Sequence, residues 1–218
     1  MALDAPMIAA PSMARPAKSV RPSVRRDEIL QGALRCFNAV GYERTTIRDI
    51  CEESGASIGS VYHLFDEKQS IAGALYHDGV KGWTERVAAA VRAAPTTEAA
   101  VHAAVNAYLD WSGEHPQWTF FLAASRGLAA RSIVRRDVDV LLRRLDKVLH
   151  ALFVKAAAAG EIHELPPDIY WPLMLGPTYA TMLFRVRRHG PADPPEAWLP
   201  TREERDGLAA SAWRSMRR

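Results

Sequence analysis

Residues 45–68 read TTIRDICEESGASIGSVYHLFDEK, and this stretch decides the predicted fold. Thr46 stands three residues before Asp49, which is the spacing of a helix-capping pair, so a short helix is expected to begin there. Gly55 supplies a tight turn, and Ser57 can cap a second short helix. Two short helices joined by a glycine turn form a helix-turn-helix, whose second helix enters the major groove of DNA. The spacing therefore predicts a DNA-binding unit.

The second predicted helix has an apolar side and a polar side. Its apolar positions, which are expected to hold it against the core, are Val61, Leu64 and Phe65. Its outward positions, whose hydroxyl groups and imidazole ring can donate to phosphates or base edges, are Ser60, Tyr62 and His63. Gly59 and Ser60 are small, so the helix can approach the bases closely. The pattern predicts that the polar side of this helix reads DNA.

Two basic residues stand at the edges of this unit. Arg48 faces outward from the first short helix and is the strongest candidate for a bidentate contact to guanine. Lys68 stands where the next helix begins, so its ammonium group and the helix N-terminus could together bind a phosphate. Taken singly, such residues are more often solvated charges, and a glycine between short helices is more often a plain corner. The whole string at this spacing favours DNA binding.

The remaining sequence shows helical periodicity and no alternating run typical of a strand. Upstream, apolar residues recur at three- and four-residue intervals, and Gly41 ends that helix by adopting a positive φ. The further predicted helices run from an N-cap at Asp66 to Ala94, from Thr97 to Glu114, over 117–130 with a break at Gly127, from Val134 to Ala159, from Pro167 to Gly190 and from Thr201 to Met216. Residues 190–200, with four prolines, are predicted to be a linker. The predicted fold class is all-α.

Composition sets the class of protein. The chain has 218 residues, 48% hydrophobic and 24% charged, which is typical of a globular protein. Its net charge of +3 is too small to indicate nucleic-acid binding by itself. Residues 1–22 are predicted to be a mobile basic tail, either inert or an arm that touches phosphates. Cys36 and Cys51 lack metal-site spacing and are expected to be reduced core residues of a cytoplasmic protein. No signal peptide and no membrane span are expected.

Residues 25–71 resemble the DNA-binding domain of the tetracycline-repressor (TetR/AcrR) family. The matching positions are Ile29, Leu30, Ala33, Phe37, Gly41, Thr45, Thr46, Ile50, Gly55, Ala56, Ser57, Gly59, Ser60, Tyr62, Phe65, Lys68 and Ile71. The chain departs from the usual pattern at Cys51, Ser54 and Val61, and none of these residues should disturb the fold. The resemblance covers about the first third of the chain. It implies a three-helix helix-turn-helix domain over 23–70 and a helical domain over 71–218 for effector binding and dimerisation.

The resemblance also implies roles for single residues. The DNA-binding set is Thr46, Arg48, Ser57, Ile58, Ser60, Tyr62, His63 and Lys68. Among these, the residues implied to contact the DNA backbone are Thr46, Tyr62 and Lys68, and those implied to lie nearer the bases are Arg48, Ile58, Ser60 and His63. Ile58 could reach a thymine methyl group, and its spacing is equally compatible with packing in the core.

The C-terminal part carries many large apolar side chains. Those predicted to line an effector pocket are Tyr108, Trp111, Trp118, Phe121, Met174, Thr178 and Tyr179. An ordinary core is the more frequent use of aromatic residues at helical spacing, so both readings stay open. The helices predicted over 134–159 and 168–188 have more apolar surface than one core-facing stripe needs. We therefore expect a four-helix dimer interface, with a monomer as the alternative.

The pattern as a whole predicts a ligand-responsive transcriptional regulator, in the first place a repressor. It would bind a pseudo-palindromic operator of double-stranded DNA as a homodimer and be released by a small, mostly apolar effector. The alternatives are an activator and a constitutive architectural DNA-binding dimer without an effector. No enzyme is expected, because the seven histidines are scattered and no phosphate loop, nucleophile elbow or metal-binding motif occurs. No cofactor and no metal are expected.

Overall fold

A computed structural model describes residues 22–125 and 135–218, and most of these residues lie in helices. In chain order the helices are α1 (Pro22–Val40), α2 (Ile47–Ser54), α3 (Ile58–Leu64), α4 (Lys68–Ala93), α5 (Thr97–Glu114), α6 (Pro116–Ala124), α7 (Arg135–Ala158), α8 (Pro167–Val186), α9 (Pro195–Trp198) and α10 (Arg202–Met216). Within the described ranges the one β feature is an isolated bridge between Ile162 and Arg217. The all-α prediction is confirmed. Of the tail predicted over residues 1–22, residues 1–21 lie outside the described residues, as does the predicted break at Gly127, whereas Pro22 begins α1.

A compact N-terminal core holds the first three helices together. Its buried members on α1 to α3 are Ile29, Leu30, Ala33, Leu34, Phe37, Ile50, Cys51 and Val61, followed by Ala56 and Phe65 at the flanking turns. Ile71, Ala72 and Leu75 of α4 close this core, and so does Phe121 of α6. These helices therefore do not stand alone, because two later helices complete their packing.

The second core lies among α4, α5, α7, α8 and α10. α4 packs along both α5 and α7, and α10 packs against α5 and α8. α4 begins in the N-terminal core and ends in the second one, so it is shared by both. The predicted domain boundary at residues 70/71 falls inside this continuous helix and stays a prediction.

The start of α4 differs from the prediction. Glu67, and not Asp66, is the N-cap residue, and it makes no side-chain cap hydrogen bond. The backbone N–H groups of Ser70 and Ile71 donate to the Glu67 carbonyl at 3.1 and 3.4 Å, so the first turn forms one residue later. Asp66 was predicted to be the N-cap because of its residue type alone. The hydrogen bonds of the first turn make the adjacent residue, Glu67, the N-cap.

The C-terminal region also corrects the sequence-based bounds. α8 ends at Val186 and does not reach residues 189–190. The segment predicted to be a linker contains α9, whose Trp198 is fully buried and meets Phe120 edge to face at 5.3 Å between ring centroids. Proline-rich composition hid this short helix, since Pro195 occupies the first turn, where its missing N–H costs nothing.

The two cysteines are both free thiols in the N-terminal core region, with Cys51 buried and Cys36 half-buried. Desolvation by burial raises the pKa of each thiol, and the neighbouring carboxylates of Glu53 at Cys36 and Glu52 at Cys51 raise it further. Both thiols therefore stay protonated and behave as small apolar groups. Separately, none of the helices in the described ranges has the length and apolar character needed to span a lipid bilayer.

Candidate DNA-binding surface and effector cavity

Thr46 and Asp49 form the predicted capping box at the start of α2. The Asp49 backbone N–H donates to Thr46 Oγ1 at 3.2 Å, and the Thr46 backbone N–H donates to Asp49 Oδ2 at 2.8 Å. The Thr46 hydroxyl also donates to Asp49 Oδ2 at 2.9 Å, and the two hydrogen bonds that the carboxylate accepts from the Thr46 backbone and side chain hold its pKa below the usual range. The pair satisfies two backbone donors that the helix itself leaves open.

The turn between α2 and α3 is built as the sequence indicates. Gly55 has φ 66°, a left-handed conformation that glycine adopts without a Cβ penalty. Ser57 is the N-cap of α3, and its Oγ accepts the Ser60 N–H at 3.1 Å. Ala56 is buried between the two helices. The predicted caps and the glycine turn are confirmed, and together they fix how α3 is presented.

α3 buries one side and exposes the other. Val61 is fully buried and Phe65 is 7% exposed, whereas Ile58 and Tyr62 are 54% and 53% exposed. His63 is exposed as well, and Ser60 is half-buried with its hydroxyl 2.9 Å from that of Ser57. Ile58 thus lies on the surface and not in the core. Large side chains such as those of Ile58 and Tyr62, exposed together on a short, capped helix, are typical of a surface that meets a partner.

Arg48 lies beside this surface on α2. Its side chain is 81% exposed, and its Nε donates to Glu52 Oε1 at 3.1 Å. An exposed pair of this kind contributes little stability, so the guanidinium can leave Glu52 for another acceptor at low cost. Thr46 is exposed at the same end of α2. The structure therefore brings Arg48 and the outward residues of α3 to the protein surface.

Lys68 differs from the other members of the predicted DNA-binding set. Its Nζ donates to the carbonyl oxygens of Tyr42, Thr45 and Glu43, at 2.8, 2.8 and 3.3 Å. The ammonium also lies 4.4 Å from the centre of the Tyr42 ring. An ammonium group has three donors, and all three are used here. Lys68 ties the start of α4 to the loop before α2, so this geometry favours a positioning role over a phosphate contact.

A cavity of about 340 Å³ opens in the C-terminal part of the molecule. Its lining residues come from five helices and are Tyr76, Val80, Trp83, Tyr108, Trp111, Ser112, Thr119, Leu122, Ala123, Val138, Leu142, Leu145, Asp146, Trp171, Tyr179, Met182, Leu183 and Val186. A mostly apolar lining with a few polar groups is typical of a small-molecule site. Of the predicted pocket residues, Tyr108, Trp111 and Tyr179 line it.

The other four predicted pocket residues do not line this cavity, which corrects the predicted set. Phe121 belongs to the N-terminal core, where it stacks on Phe37 at 5.8 Å. Met174 and Thr178 are buried within the second core, and the Trp118 indole packs where a side chain on Gly79 would stand. Helical spacing puts all four on inward faces, but only tertiary packing decides whether an inward face meets a cavity or another helix.

Two aromatic residues of the cavity wall, Tyr76 and Trp83 of α4, were not singled out from the sequence. Trp83 and Trp171 lie 5.7 Å apart, and Trp83 meets Tyr108 edge to face at 5.7 Å. Tyr76 also lines the cavity and lies about two helical turns before Trp83 on α4. The signal that could have found them is the run Tyr76, Val80, Trp83 at helical spacing on α4.

α6 lies between the cavity and the DNA-binding unit. On one side, Leu122 and Thr119 line the cavity. On the other, the Asn38 amide of α1 donates to the Gln117 backbone carbonyl at 2.9 Å and to its side-chain oxygen at 2.7 Å. The Phe121 ring stacks beside this link. A shift of α6 would therefore move contacts to α1 directly.

The outer faces of α7 and α8 keep apolar side chains in solvent. They are Val140 and Val154 on α7, and Ile169 and Phe184 on α8, which are 37%, 52%, 39% and 57% exposed. Within each helix the two lie about four turns apart on one side. Phe184 carries the Arg188 guanidinium over its ring at 4.0 Å. Among residues 22–125 and 135–218, nothing buries these four side chains.

Residues 29–75 match the family described as bacterial regulatory proteins, tetR family. The chain is 32% identical over 130 residues to the HTH-type transcriptional repressor AcnR of Corynebacterium diphtheriae, a match that covers 59% of this chain and 67% of that protein. AcnR proteins of two further Corynebacterium species match over 36% of their length. This chain is also 30% identical over 165 residues to the HTH-type transcriptional regulator BetI of Cronobacter sakazakii, a match that covers 63% of this chain and 82% of that protein.

The chain belongs to the TetR family. Its fold agrees with that of the transcriptional regulator FadR from Bacillus subtilis, solved in complex with stearoyl-CoA, with a TM-score of 0.66 at 16% identity. That match covers 85% of this chain and 96% of FadR. This TetR-family chain is a helix-turn-helix transcriptional regulator, and its family is one of DNA-binding regulators, not of enzymes. Among residues 22–125 and 135–218, no cluster of three or more metal-ligating side chains occurs.

Proposed function

We propose that this regulator is a cytoplasmic repressor that binds a pseudo-palindromic operator as a homodimer and is released by a small, mostly apolar effector. The observation that carries the proposal is the surface formed by Arg48, Ile58, Tyr62 and His63, which is exposed while Val61 and Phe65 hold it from behind. We call it the reading surface. A dimer would set two such surfaces in successive major grooves, about 34 Å apart.

Roles within the reading surface follow from reach and chemistry. Arg48 has five donors in a planar fork, and it is the side chain suited to the O6 and N7 acceptors of guanine. Tyr62 presents one hydroxyl from an exposed ring and suits a phosphate oxygen. Ile58 offers an apolar contact to a thymine methyl group. Thr46 and Ser57 act as caps that fix the two helices, in addition to any contact with the DNA backbone.

The exposed apolar side chains of α7 and α8 support the homodimer. Phe184 and Val154 are each more than half exposed in the single chain, which is costly for a surface that meets only water. In a two-fold dimer the same face packs on itself, and α7 and α8 of both copies form a four-helix interface. The residues of such an interface are separate from those of the reading surface, so the proposal leaves Arg48, Ile58, Tyr62 and His63 of both copies free to meet DNA.

The cavity supports control by an effector. α4 reaches from Lys68, beside the loop before α2, to the cavity wall at Tyr76, Val80 and Trp83. α6 offers a second route through the stacked pair Phe37 and Phe121. An effector that prefers one arrangement of these helices would change the separation of the two reading surfaces. By linkage, operator binding then weakens effector binding by the same factor.

The first test selects duplexes from a random library with the full-length protein and measures affinity by electrophoretic mobility. We expect a two-fold symmetric site. Arg48→Ala should relax base preference at one position in each half-site, at a cost of about 1–3 kcal/mol. Tyr62→Phe should weaken binding almost equally for all sequences. Arg202→Ala, at an exposed position at the start of α10, is the matched control and should change nothing. Unchanged affinity and specificity in both reading-surface variants would contradict the proposal.

A further inference from the structure

Of the eighteen described residues that line the cavity, six are aromatic, nine are non-aromatic apolar residues and one carries a formal charge. The rings come from α4, α5 and α8 and belong to Tyr76, Trp83, Tyr108, Trp111, Trp171 and Tyr179. Asp146 of α7 is the one charged residue among the described lining. From this juxtaposition we propose that the cavity binds a lipophilic cation, meaning an apolar molecule with one quaternary or protonated amine, a proposal that rests on the effector role given above.

The arrangement of the rings suits a cation. Trp171, Trp83, Tyr108 and Tyr179 form a continuous series, with neighbouring centroids 5.7, 5.7 and 6.1 Å apart. The Trp83–Tyr108 contact is edge to face, so the edge of one ring points at the electron-rich face of the other. A cation within about 6 Å of such a face is attracted by the ring quadrupole, and indole is the strongest of the three ring types. An aliphatic lining would serve a neutral apolar molecule equally well.

Asp146 is a carboxylate without a partner inside the described protein. No ion pair joins it to a basic side chain of the described residues, although Arg143 and Lys147 are near it on the same helix. Asp146 remains exposed to solvent as a whole, and the partial desolvation that its carboxyl group undergoes raises the pKa without supplying a counter-charge. A bound cation would supply that charge.

The serine and threonine hydroxyls and the charge of the described lining make an anion a poor alternative. The Ser112 hydroxyl donates to the Tyr108 carbonyl at 2.8 Å, and the Thr119 hydroxyl donates to the Ser112 carbonyl at 3.0 Å. Both protons are thus committed to the backbone. Among the described lining residues there is no Lys, Arg or His. A carboxylate or phosphate placed here would lose hydration and meet the charge of Asp146.

Three small probes of similar shape separate charge from apolar fit. They are benzyltrimethylammonium, its uncharged carbon analogue neopentylbenzene, and benzenesulfonate. Binding to the full-length protein is followed by quenching of indole fluorescence and by calorimetry. We expect the cation to bind roughly tenfold more tightly than the carbon analogue, the size of a partly desolvated cation–π contact. Benzenesulfonate should bind more weakly than either.

Variants assign the preference to named groups. Asp146→Asn should weaken binding of the cation by roughly tenfold and leave neopentylbenzene unchanged, since only a charge is lost. Asp139→Asn, two turns away on the same helix and outside the lining, is the control and should change neither. Trp171 is half-buried, and leucine at this position keeps an apolar side chain but removes the ring. Trp171→Leu should therefore lose the cation preference, and Trp171→Phe, which restores a ring, should regain part of it.

Several results would overturn the proposal. They are equal affinity for the cation and its carbon analogue, tighter binding of benzenesulfonate, no binding of any probe, or an Asp146→Asn variant that keeps the cation preference. None of these results touches operator binding, which is measured with the same preparations. Conversely, a protein that binds the cation as expected but selects no duplex would remove the proposed function and leave the ligand class standing.

Discussion

The reading surface and the cavity are built in opposite ways. The two helices that carry the reading surface begin at caps formed within about one helical turn, the Thr46–Asp49 box and the Ser57 cap, although the core behind them also takes residues from α4 and α6. The cavity wall instead collects residues from Tyr76 to Val186, which meet only after five helices have packed. Local construction allows side chains to be exposed without loss of shape. Long-range construction allows a space to be enclosed, at the cost of depending on every helix around it.

Phe121 provides the strongest test of this comparison, because it lies on α6, which contacts both the N-terminal core and the cavity. We expect Phe121→Ala to lower the free energy of unfolding by about 3–5 kcal/mol, as for other buried aromatic truncations. The loss should fall on the N-terminal core, where the ring stacks on Phe37. Urea denaturation followed by circular dichroism measures it.

The matched control for Phe121 is its neighbour. Leu122→Ala removes a half-buried side chain that faces the cavity. We expect a smaller loss of stability and a change in probe binding. If Phe121→Ala altered probe binding directly while leaving the N-terminal core intact, Phe121 would be a pocket residue as its spacing first indicated, and the contrast between the two regions would be wrong at α6.

Lys68 gives the second test, with an intermediate effect. Lys68→Met removes three hydrogen bonds from an ammonium group to the loop before α2, and we expect a loss of about 2 kcal/mol in the free energy of unfolding. Operator affinity should fall because the loop loosens. The slope of log affinity against log salt should stay unchanged, since no phosphate contact is lost.

The salt slope decides between the two roles of Lys68. A lysine that neutralises a phosphate contributes about 0.9 to that slope, which its removal would subtract. Lys81→Met, an exposed residue on the same helix, controls for the loss of one positive charge. A slope lowered by that amount in Lys68→Met alone would restore the phosphate contact that the resemblance implied.

The two regions also differ in how far the sequence predicted them. The caps, the glycine turn and the inward set of α3 depend on residues a few positions apart, and the structure confirms them. The α9 helix was missed because its stability comes from Trp198 packing on Phe120, far away in sequence. Asp66 was expected to be the cap because propensity alone cannot choose between two adjacent residues.

The cavity shows why spacing fails over long range. Periodicity identifies the inward side of a helix, and it did so for Met174 and Phe121, which are buried. It says nothing of which inward side chains face a partner helix and which face a space. The cavity is lined by Tyr108, Trp111 and Tyr179 of the predicted set. Asp146 was not predicted, because one more carboxylate on a helix that carries many charges gives no apolar signal. Only the packed arrangement distinguishes these cases.

The smallest expected effect concerns Gly59, and it tests whether the reading surface is shaped for a partner. A Cβ on Gly59 would meet only Ser57 Oγ, at 4.0 Å, so nothing within the described protein requires a glycine there. Gly59→Ala should therefore raise the free energy of unfolding by about 0.5–1 kcal/mol, through helix propensity. It should also weaken operator binding by roughly tenfold, because the added methyl group stands where the helix approaches the bases.

Gly207 supplies the matched control, since it is an exposed residue of α10 and a Cβ there would meet no atom within 4 Å. Gly207→Ala should give the same gain in stability and leave operator affinity unchanged. Thermal unfolding and mobility shifts on the two variants measure both quantities. A Gly59→Ala protein that is more stable and still binds DNA as tightly would show that the small residue serves no approach to the duplex. Since stability and binding are expected to move in opposite directions at Gly59 alone, general damage to the fold cannot produce the expected result.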